Sequence, residues 1–545
     1  MPAGGKRWLS DWKLSRNHTL LALASGGLVL LLILTMAFLA LRPGAPVATL
    51  QVANVKHVRV DQPLKIHFDR EVDLRHVQVA LAPPAAVTLK AVGKQDITIV
   101  PMQAWEPARR YRVALGEVPN SAHAASLTGW RAEFTTQPHV GIAGFKVDGQ
   151  PVSGEADATP YSKVNAAFTV PMTEATVKFN VNGKPLPATS LAWAKEANSL
   201  DLTLPPAPPY QRVEIELAAG GRSKEGDPVT DSSRLALNPL PLEPSNVSSG
   251  IGAGFKTRTP IQVVVENSGP ARPQVGLQGA DIVYEYISEY SISRMTAVYF
   301  NNIPGLIGPV RSCRMINPYL DFAYRADFMC SGASVGTLHY MFGDGGVLPL
   351  VPGTINDFDS GNHFFRVGFK AAPHNLYTSG DRAERLRGEM TPPPPRLVVD
   401  PPHPDVEAGQ PADPPVVGLH AVNYAYDPGS RQYLRFDHGS PFTENGGPQL
   451  AVKNIVLLHV PFHDAGWVED ENGGAHCVWY DMLGSGPVEI YSDGKLIHGQ
   501  WHMGNGQGWY FQNDQAPYYT DDQGNVIRLN SGLTWIHVLG NGQTF

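Results

Sequence analysis

The chain has 545 residues, of which 17% are charged, and a formal net charge of −7 at pH 7. This length exceeds what a single hydrophobic core organises, so several domains are expected. The negative charge argues against a nucleic-acid-binding surface as the main role, and we expect no nucleic acid partner. The 54 glycines and 48 prolines indicate many turns and short strands, which favours a mainly β fold.

An uncharged apolar run from Leu20 to Leu41 follows four basic residues near the N-terminus. It is long enough to cross the roughly 30 Å hydrocarbon core as a helix. The preceding positive charges place residues 1–19 in the cytoplasm and the C-terminal part outside the cell. We therefore predict a single-pass signal anchor at 20–41 in the cell membrane; the alternative is a signal peptide cleaved after Ala40. No cysteine stands at the end of the run, so we do not expect a lipid anchor of the lipobox type.

Residues 47–138 consist of short alternating strands with turn signals between them, as in Leu64–Phe68. This spacing predicts a sandwich of seven strands. The Trp105…Tyr111-Arg112-Val113 segment and the closing Trp130…Phe134-Thr135-Thr136 resemble bacterial Ig-like domains. Residues 139–240 repeat the strand pattern more loosely, so a second Ig-like sandwich is predicted.

The distal part of the chain carries several long motifs. They are Asn267, Ala271-Arg272-Pro273-Gln274-Val275-Gly276-Leu277, Ala280-Asp281-Ile282-Val283-Tyr284-Glu285, Gly308-Pro309-Val310-Arg311-Ser312, Ala372-Pro373-His374-Asn375-Leu376-Tyr377-Thr378, Asn454-Ile455-Val456 and Thr534-Trp535-Ile536. With these motifs the distal part resembles the YerB-like family, a bacterial domain of unknown function often carried by lipoproteins. The chain departs from the family in its predicted signal anchor and in Cys313, where members often have a small residue. The resemblance implies no established reaction.

The predicted fold class is therefore mainly β with an α+β distal domain. The head comprises a YerB-like N-terminal domain at 245–390, a Pro-rich linker at 391–417 and a smaller β-rich subdomain at 418–545 packed on the first. The Ser379-Gly380-Asp381 cap signal predicts a short helix at Arg382–Glu389. A hairpin is predicted across Ser492-Asp493-Gly494.

The three cysteines, Cys313, Cys330 and Cys477, lack the spacing of a metal site. Three buried free thiols are the preferred interpretation. The alternative is a Cys313–Cys330 disulfide, which an oxidising compartment outside the cell would allow.

Charged and polar residues at strand ends and turns of the head predict a polar pocket. The predicted binding residues are Asn267, Arg272, Gln274, Asp281, Glu285, Arg311, Arg314, His374 and Asn375. The planar fork of arginine suits carboxylate or phosphate groups, which abound on cell-wall polymers. In the alternative, Asp281, Glu285 and Glu289 pair with these arginines and only hold the turns together. No metal or cofactor is expected.

A hydrolase remains the alternative function, with Asp281 and Glu285 as a general acid–base pair on a glycosidic bond or with His374 in a nucleophilic site. The segment around Ser331 and Ser334 lacks a Gly-x-Ser-x-Gly elbow. We favour a binding protein over an enzyme, with a cell-wall polymer or an envelope protein as partner. Self-assembly of the head is a third hypothesis.

Overall fold

The computed structural model describes residues 44–246, 259–289, 292–300, 302–342, 355–356, 363–389, 396–406, 408–418, 421–504 and 515–541. The predicted cytoplasmic segment 1–19 and membrane span 20–41 lie outside these ranges. Within them, no helix is long and apolar enough to cross a membrane.

The first domain is a β-sandwich. Its strands are β1 (Ala48–Gln51), β2 (Leu64–Phe68), β3 (Val79–Ala82), β4 (Val87–Val92), β5 (Asp96–Pro101), β6 (Arg110–Leu115), β7 (Val118–Pro119), β8 (Ser126–Leu127) and β9 (Arg131–Thr135). A four-stranded sheet, β1-β2-β5-β4, and a three-stranded sheet, β3-β6-β9, share one core. These two sheets contain seven strands, the predicted number, and β7 and β8 form an additional short pair. Trp105 fills the centre of this core, edge-on to Tyr111 and Phe134.

The second domain is also a sandwich, made of two five-stranded sheets. Its strands are β10 (Ile142–Val147), β11 (Gln150–Val152), β12 (Glu155–Ala158), β13 (Val164–Phe168), β14 (Phe179–Val181), β15 (Lys184–Pro185), β16 (Leu191–Trp193), β17 (Ser199–Leu202), β18 (Val213–Leu217) and β19 (Arg234–Pro239). The sheet orders are β11-β10-β13-β17-β16 and β12-β19-β18-β14-β15. Alternate residues of Val164–Phe168 and Val213–Leu217 are buried between the sheets, as expected for half-buried strands.

Within its described residues, the head contains the remaining strands and three α-helices. In chain order they are β20 (Leu242–Glu243), β21 (Ile261–Glu266), β22 (Ile282–Glu289), β23 (Ile292–Tyr299), α1 (Asn317–Tyr324), β24 (Asp327–Cys330), α2 (Val335–Phe342), β25 (Ile355–Asn356), β26 (Phe365–Arg366), β27 (Leu376–Tyr377), α3 (Gly380–Glu389), β28 (Val398–Val399), β29 (Gln410–Pro411), β30 (Val416–Val417), β31 (Val422–Asp427), β32 (Gln432–Asp437), β33 (Ser440–Pro441), β34 (Ala451–Val452), β35 (Asn454–Val460), β36 (Phe462–Asp470), β37 (Ala475–Tyr480), β38 (Gly484–Ser492), β39 (Lys495–Met503), β40 (Tyr518–Asp521) and β41 (Thr534–Gly540).

One large sheet crosses the whole head, in the order β25-β24-β21-β23-β22-β41-β35-β38-β39-β29, with β40 on β39. The last strand, β41, lies between β22 and β35 and runs parallel to both. All seven of its residues are buried, because apolar layers cover both faces of the sheet. The two halves of the head are therefore joined in one sheet, whereas the sequence predicted a smaller subdomain packed on the first.

The segment predicted as a Pro-rich linker is partly packed. Within it, β28 pairs in parallel with β20, and Leu397 and Val399 are buried. Pro411 pairs with Lys495 at the edge of the large sheet, a position that proline tolerates.

Two local predictions are confirmed. Helix α3 spans Gly380–Glu389, and β38 and β39 form the predicted hairpin, closed by the pairing of Ser492 with Lys495. Asp493 and Gly494 both have positive φ, the conformation that the favoured two-residue hairpin turns require.

The preference for three free thiols is wrong. Cys313 and Cys330 form a disulfide with a Cα–Cα distance of 5.4 Å, within the range that such a bond requires. Cys477 is free and buried.

Candidate functional site

Neighbouring strands bring charged groups together at one end of the large sheet. β21 ends at Glu266, β22 ends at Glu289, and β23 runs back between them. In this register Arg294 pairs with Glu266 on one side and with Tyr286 on the other. Acidic and basic side chains from separate strands therefore meet where the loops begin.

Around Glu266 lie four basic residues, Arg272, Arg311, Lys370 and His374, which we call the cationic rim. Arg311 Nε lies 3.3 Å from a Glu266 carboxylate oxygen, and His374 Nδ1 lies 3.0 Å from both oxygens. Lys370 Nζ donates hydrogen bonds to the backbone carbonyls of the loop that carries Arg272. Three segments of the chain thus meet here, and two of them place a side chain, Arg311 or His374, directly on the buried Glu266 carboxylate.

The groups around Glu266 determine the pKa of its carboxyl. Burial alone would raise it, but Arg311 and hydrogen bonds from Ser268 and His374 bring the pKa of Glu266 below its ordinary value. The carboxylate is therefore ionised at neutral pH and holds Arg311 and His374 from beneath.

Arg272 is held by a different carboxylate. Its Nη2 lies 2.8 Å from Asp437 Oδ2 and donates a hydrogen bond of 3.3 Å to the carbonyl of Asn267. Asp437 comes from the C-terminal half of the head, at the end of β32, so the rim draws on both halves.

Beneath the rim, buried amides link the two halves of the site. Gln274 donates to Asn267 Oδ1 at 3.1 Å, and Asn267 donates to Glu285 Oε1 at 3.1 Å and to Ser293 at 2.7 Å. Asn267 and Gln274 are completely buried. These two buried amides lie beneath the rim and do not themselves reach solvent.

Glu285 is the centre of a second buried cluster, formed with Arg435, Trp535 and His537. Arg435 Nη1 donates to Glu285 Oε2 at 2.8 Å and Trp535 Nε1 donates to the same oxygen at 2.9 Å. The guanidinium of Arg435 lies over the Trp535 ring at 4.3 Å, a cation–π contact.

The titration behaviour of this cluster follows from burial and charge. Burial would raise the pKa of Glu285, but Arg435 and then His537 lower it below its ordinary value. Burial lowers the pKa of His537 to about 4, so this imidazole is neutral at pH 7. Its Nε2 lies 2.8 Å from the hydroxyl of Tyr424.

Arg314 belongs to a third group. It donates twice to Glu289 Oε2, at 3.0 and 2.8 Å, and its Nη1 lies 3.1 Å from Glu469. Arg294 donates to the other oxygen of Glu289 at 3.0 Å. Because all four side chains are buried, this group supports the sheet end and offers no surface to a ligand.

Two further predicted residues lie apart from the rim's carboxylates. Asp281 accepts hydrogen bonds from the backbone N–H groups of Asn246 and Phe300 at 2.7 and 2.8 Å, and burial raises the pKa of Asp281 to about 7. Asn375, next to His374, accepts from Arg366 at 2.7 Å. Of the three carboxylates suspected of pairing with the predicted arginines, only Glu289 does so directly.

Sequence reasoning missed Lys370, Arg435, Asp437, Glu469 and His537. Each comes from a segment far along the chain from its partner, by 150 residues in the case of Arg435 and Glu285. The available signal was a charged residue inside an otherwise alternating strand, as Arg435 is in Tyr433-Leu434-Arg435-Phe436.

Comparison with family models decides the classification of the head. Residues 249–390 match the model described as "Protein of unknown function (DUF3048) N-terminal domain", and residues 416–536 match the corresponding C-terminal domain. The head belongs to the YerB-like family. It is 29% identical over 342 residues to the protein named "Putative lipoprotein YerB" of Bacillus subtilis (strain 168), a match that covers 58% of this chain and 90% of that protein. The chain is also similar to the YerB protein from Bacillus subtilis in its crystal structure, with 26% sequence identity. The structural match covers 53% of this chain and 94% of that chain, with a TM-score of 0.43.

The two YerB-like family regions meet at β22 and β41, where N-terminal and C-terminal segments pair strand to strand. Glu285 and His537 are direct neighbours in this register, so the buried Glu285 cluster lies on the seam between the regions. The YerB-like head is consequently one structural unit with the cationic rim at one end of its sheet.

The structure of the YerB-like head shows how Asp281 and Glu285, the pair considered for general acid–base catalysis, are placed. Asp281 is fully buried and Glu285 nearly so, and the oxygens of both are engaged by the hydrogen bonds described above. Ser334 donates to Glu469 at 2.8 Å, which leaves its hydroxyl directed at a carboxylate. Of the groups considered for catalysis, His374 is the one that reaches the surface together with the rim.

Proposed function

We propose that this protein is an extracytoplasmic envelope protein whose head binds an anionic cell-wall polymer through the cationic rim. The observation that supports this most directly is the contrast in exposure between the rim and its counter-ions. The side chains of Arg272, Arg311 and His374 are 25%, 29% and 21% exposed, whereas those of Asp437 and Glu266 are 4% and 2% exposed. The two arginines thus reach solvent together with His374, and the carboxylates lie underneath.

This arrangement prepares the rim for anions. A buried carboxylate holds each guanidinium from one side and fixes its orientation, so less side-chain entropy is lost when a ligand binds the outer edge. Arginine donates to carboxylate or phosphate through two parallel N–H groups. Repeated anionic groups on a polymer would engage several rim residues together, which favours a polymer over a single small anion.

Three observations support a location outside the cytoplasm. The relative from Bacillus subtilis carries a name that describes a lipoprotein. The Cys313–Cys330 disulfide is of a kind that persists in oxidising compartments. The uncharged run from Leu20 to Leu41 has the length of a membrane anchor, and we propose that it holds the chain at the membrane by a single span.

The proposal is tested by co-sedimentation of the full chain with purified peptidoglycan that retains its anionic polymers. We expect binding that weakens with added salt, since exposed charges are screened over about 10 Å at 0.1 M ionic strength. Arg311→Ala and Arg272→Ala should each reduce the bound fraction. Arg234→Ala is the matched control, because it removes one exposed arginine from the second sandwich, where the side chain pairs with Glu216.

The outcomes separate the hypotheses. Binding by Arg311→Ala equal to that of the unchanged chain, with both proteins folded by circular dichroism, would refute the role of the rim. Soluble sugar fragments in the supernatant, lost in His374→Ala, would instead identify a hydrolase.

A further inference from the structure

A group of potential metal ligands spans the junction of the two sandwiches. His57 lies in the first sandwich, and Glu225 and Asp227 lie in one loop of the second. The ligand atoms of the three side chains all lie within 4.8 Å of one another. His57 Nε2 is 2.7 Å from Asp227 Oδ2.

The loop that carries the two carboxylates has a defined shape. Ser223 Oγ accepts hydrogen bonds from the backbone N–H groups of Glu225 and Asp227 at 3.2 and 3.1 Å. Between them Gly226 has φ +87°, a conformation that side chains other than glycine rarely adopt. The turn directs both carboxylates toward the same imidazole.

Contacts across the junction fix the loop against the first sandwich. Arg222 donates to the carbonyl of Gly226 at 2.8 Å and to Asp61 of the first sandwich at 3.2 Å. Gln137 donates to the carbonyl of Pro228 at 2.9 Å. The contact between the two sandwiches therefore brings the three side chains together.

We propose that His57, Glu225 and Asp227 bind a divalent transition-metal ion of the zinc class and thereby clasp the two sandwiches together. One imidazole and two carboxylates form a donor set that suits zinc, whose bonds to nitrogen and oxygen are about 2.0–2.2 Å long. Calcium and magnesium prefer ligand sets made only of oxygen, so the histidine selects against them.

Metal binding requires a small rearrangement. The side chain of Asp227 is 5% exposed and that of His57 is 30% exposed, whereas Glu225 is exposed and its carboxylate would have to turn inward. The Nε2 lone pair of His57 forms the bond to the metal, so a proton that Nε2 donates to Asp227 moves to Nδ1 or to solvent.

The test is a calorimetric titration of the chelator-stripped full chain with zinc chloride, together with thermal unfolding of the same samples. We expect one saturable site and an increase in the Tm at which the two sandwiches unfold, since a ligand that binds only the folded state stabilises it. Glu225→Gln and His57→Ala should weaken zinc binding by more than the roughly 10–100-fold that loss of an outer partner costs. Calcium chloride should give no comparable site.

The chain supplies a matched control. His139 lies 3.0 Å from Asp231 but belongs to no group of three potential ligands in the described stalk, residues 44–246. His139→Ala should bind zinc like the unchanged chain. Equal binding by Glu225→Gln and His139→Ala, or no saturable zinc binding by the unchanged chain, would overturn the proposal. Because Glu225 is exposed, its replacement tests the site without endangering the fold.

Discussion

The buried pair of Arg435 and Glu285 allows a quantitative prediction about the seam of the head. Arg435 is completely buried, and its charge is balanced by Glu285 and by the faces of Trp535 and Phe442. Replacing Arg435 with Met keeps most of the side-chain volume but leaves the Glu285 carboxylate without its cation in the interior. Breaking a buried ion pair in this way costs about 3–5 kcal/mol, and the lost ring contacts contribute up to about 2 kcal/mol of this.

The double variant Glu285→Gln, Arg435→Met should recover most of that loss. It removes both charges, and the single carbonyl oxygen of glutamine still accepts the hydrogen bond from Trp535, whereas its amide nitrogen replaces the oxygen that accepts from Asn267. The expected coupling between the two sites therefore amounts to a few kcal/mol, well above the roughly 0.3–0.5 kcal/mol within which independent sites add.

Urea unfolding of the four proteins in the cycle measures these free energies. Because the chain has several domains and need not unfold in one step, the head transition should be assigned by pulse proteolysis and mass analysis of the protected fragment. A cost below about 1 kcal/mol for Arg435→Met, or a double variant as unstable as the single one, would refute the argument from charge burial.

Three further predictions follow from the same structure. The buried His537, whose pKa is about 4, stays neutral in the folded head while the unfolded chain takes up a proton below about pH 6.5. Stability should therefore fall by about 3 kcal/mol from pH 6.5 to 4, and His537→Gln should remove that part of the slope in urea unfolding across this range. Burial raises the pKa of Glu243 to about 8, so between about pH 4.5 and 8 the folded head keeps this carboxyl protonated while the unfolded chain ionises it, and stability falls as pH rises. Glu243→Gln should therefore be more stable than the unchanged chain at pH 8 by up to about 5 kcal/mol, and equal midpoints there would refute this. The Cys313–Cys330 bond spans 17 residues and should contribute about 3 kcal/mol to the free energy of unfolding. Alkylation of the unreduced, denatured chain should label one thiol, on Cys477, and labelling of all three would contradict the pairing.

Local sequence patterns predicted local structure well. The alternation in Leu64–Phe68 and the Asp493-Gly494 turn identified half-buried strands and a hairpin, because these features depend on neighbours a few residues apart. The position of β41 was not predictable in the same way. An apolar run such as Thr534–Gly540 indicates a strand buried on both faces, but it does not say that the neighbours are β22 and β35.

The candidate site shows the same limit in its side chains. Arg272, Arg311 and His374 were found because they stand in turns beside strands, and the structure brings these three together. Their counter-ions were not assigned correctly, since a charge pair depends on the fold and not on spacing. Asp437 and Glu266 pair with the rim, while Asp281, which lies in a prominent motif, caps backbone N–H groups.

The two junctions of the chain differ in a way that matters for the proposed function. Between the second sandwich and the head, Tyr161 donates to the carbonyl of Val526 at 2.8 Å, Tyr210 donates to that of Arg396 at 3.2 Å, and β20 pairs with β28. The two tyrosine contacts of this junction lie at least partly at the surface, and the β20–β28 pair lies directly beyond them in the head. The junction between the sandwiches instead contains an ion pair, that of His57 with the nearly buried Asp227. A metal ion at that point would therefore act on the orientation of the whole distal part of the chain, including the rim, without touching the rim itself.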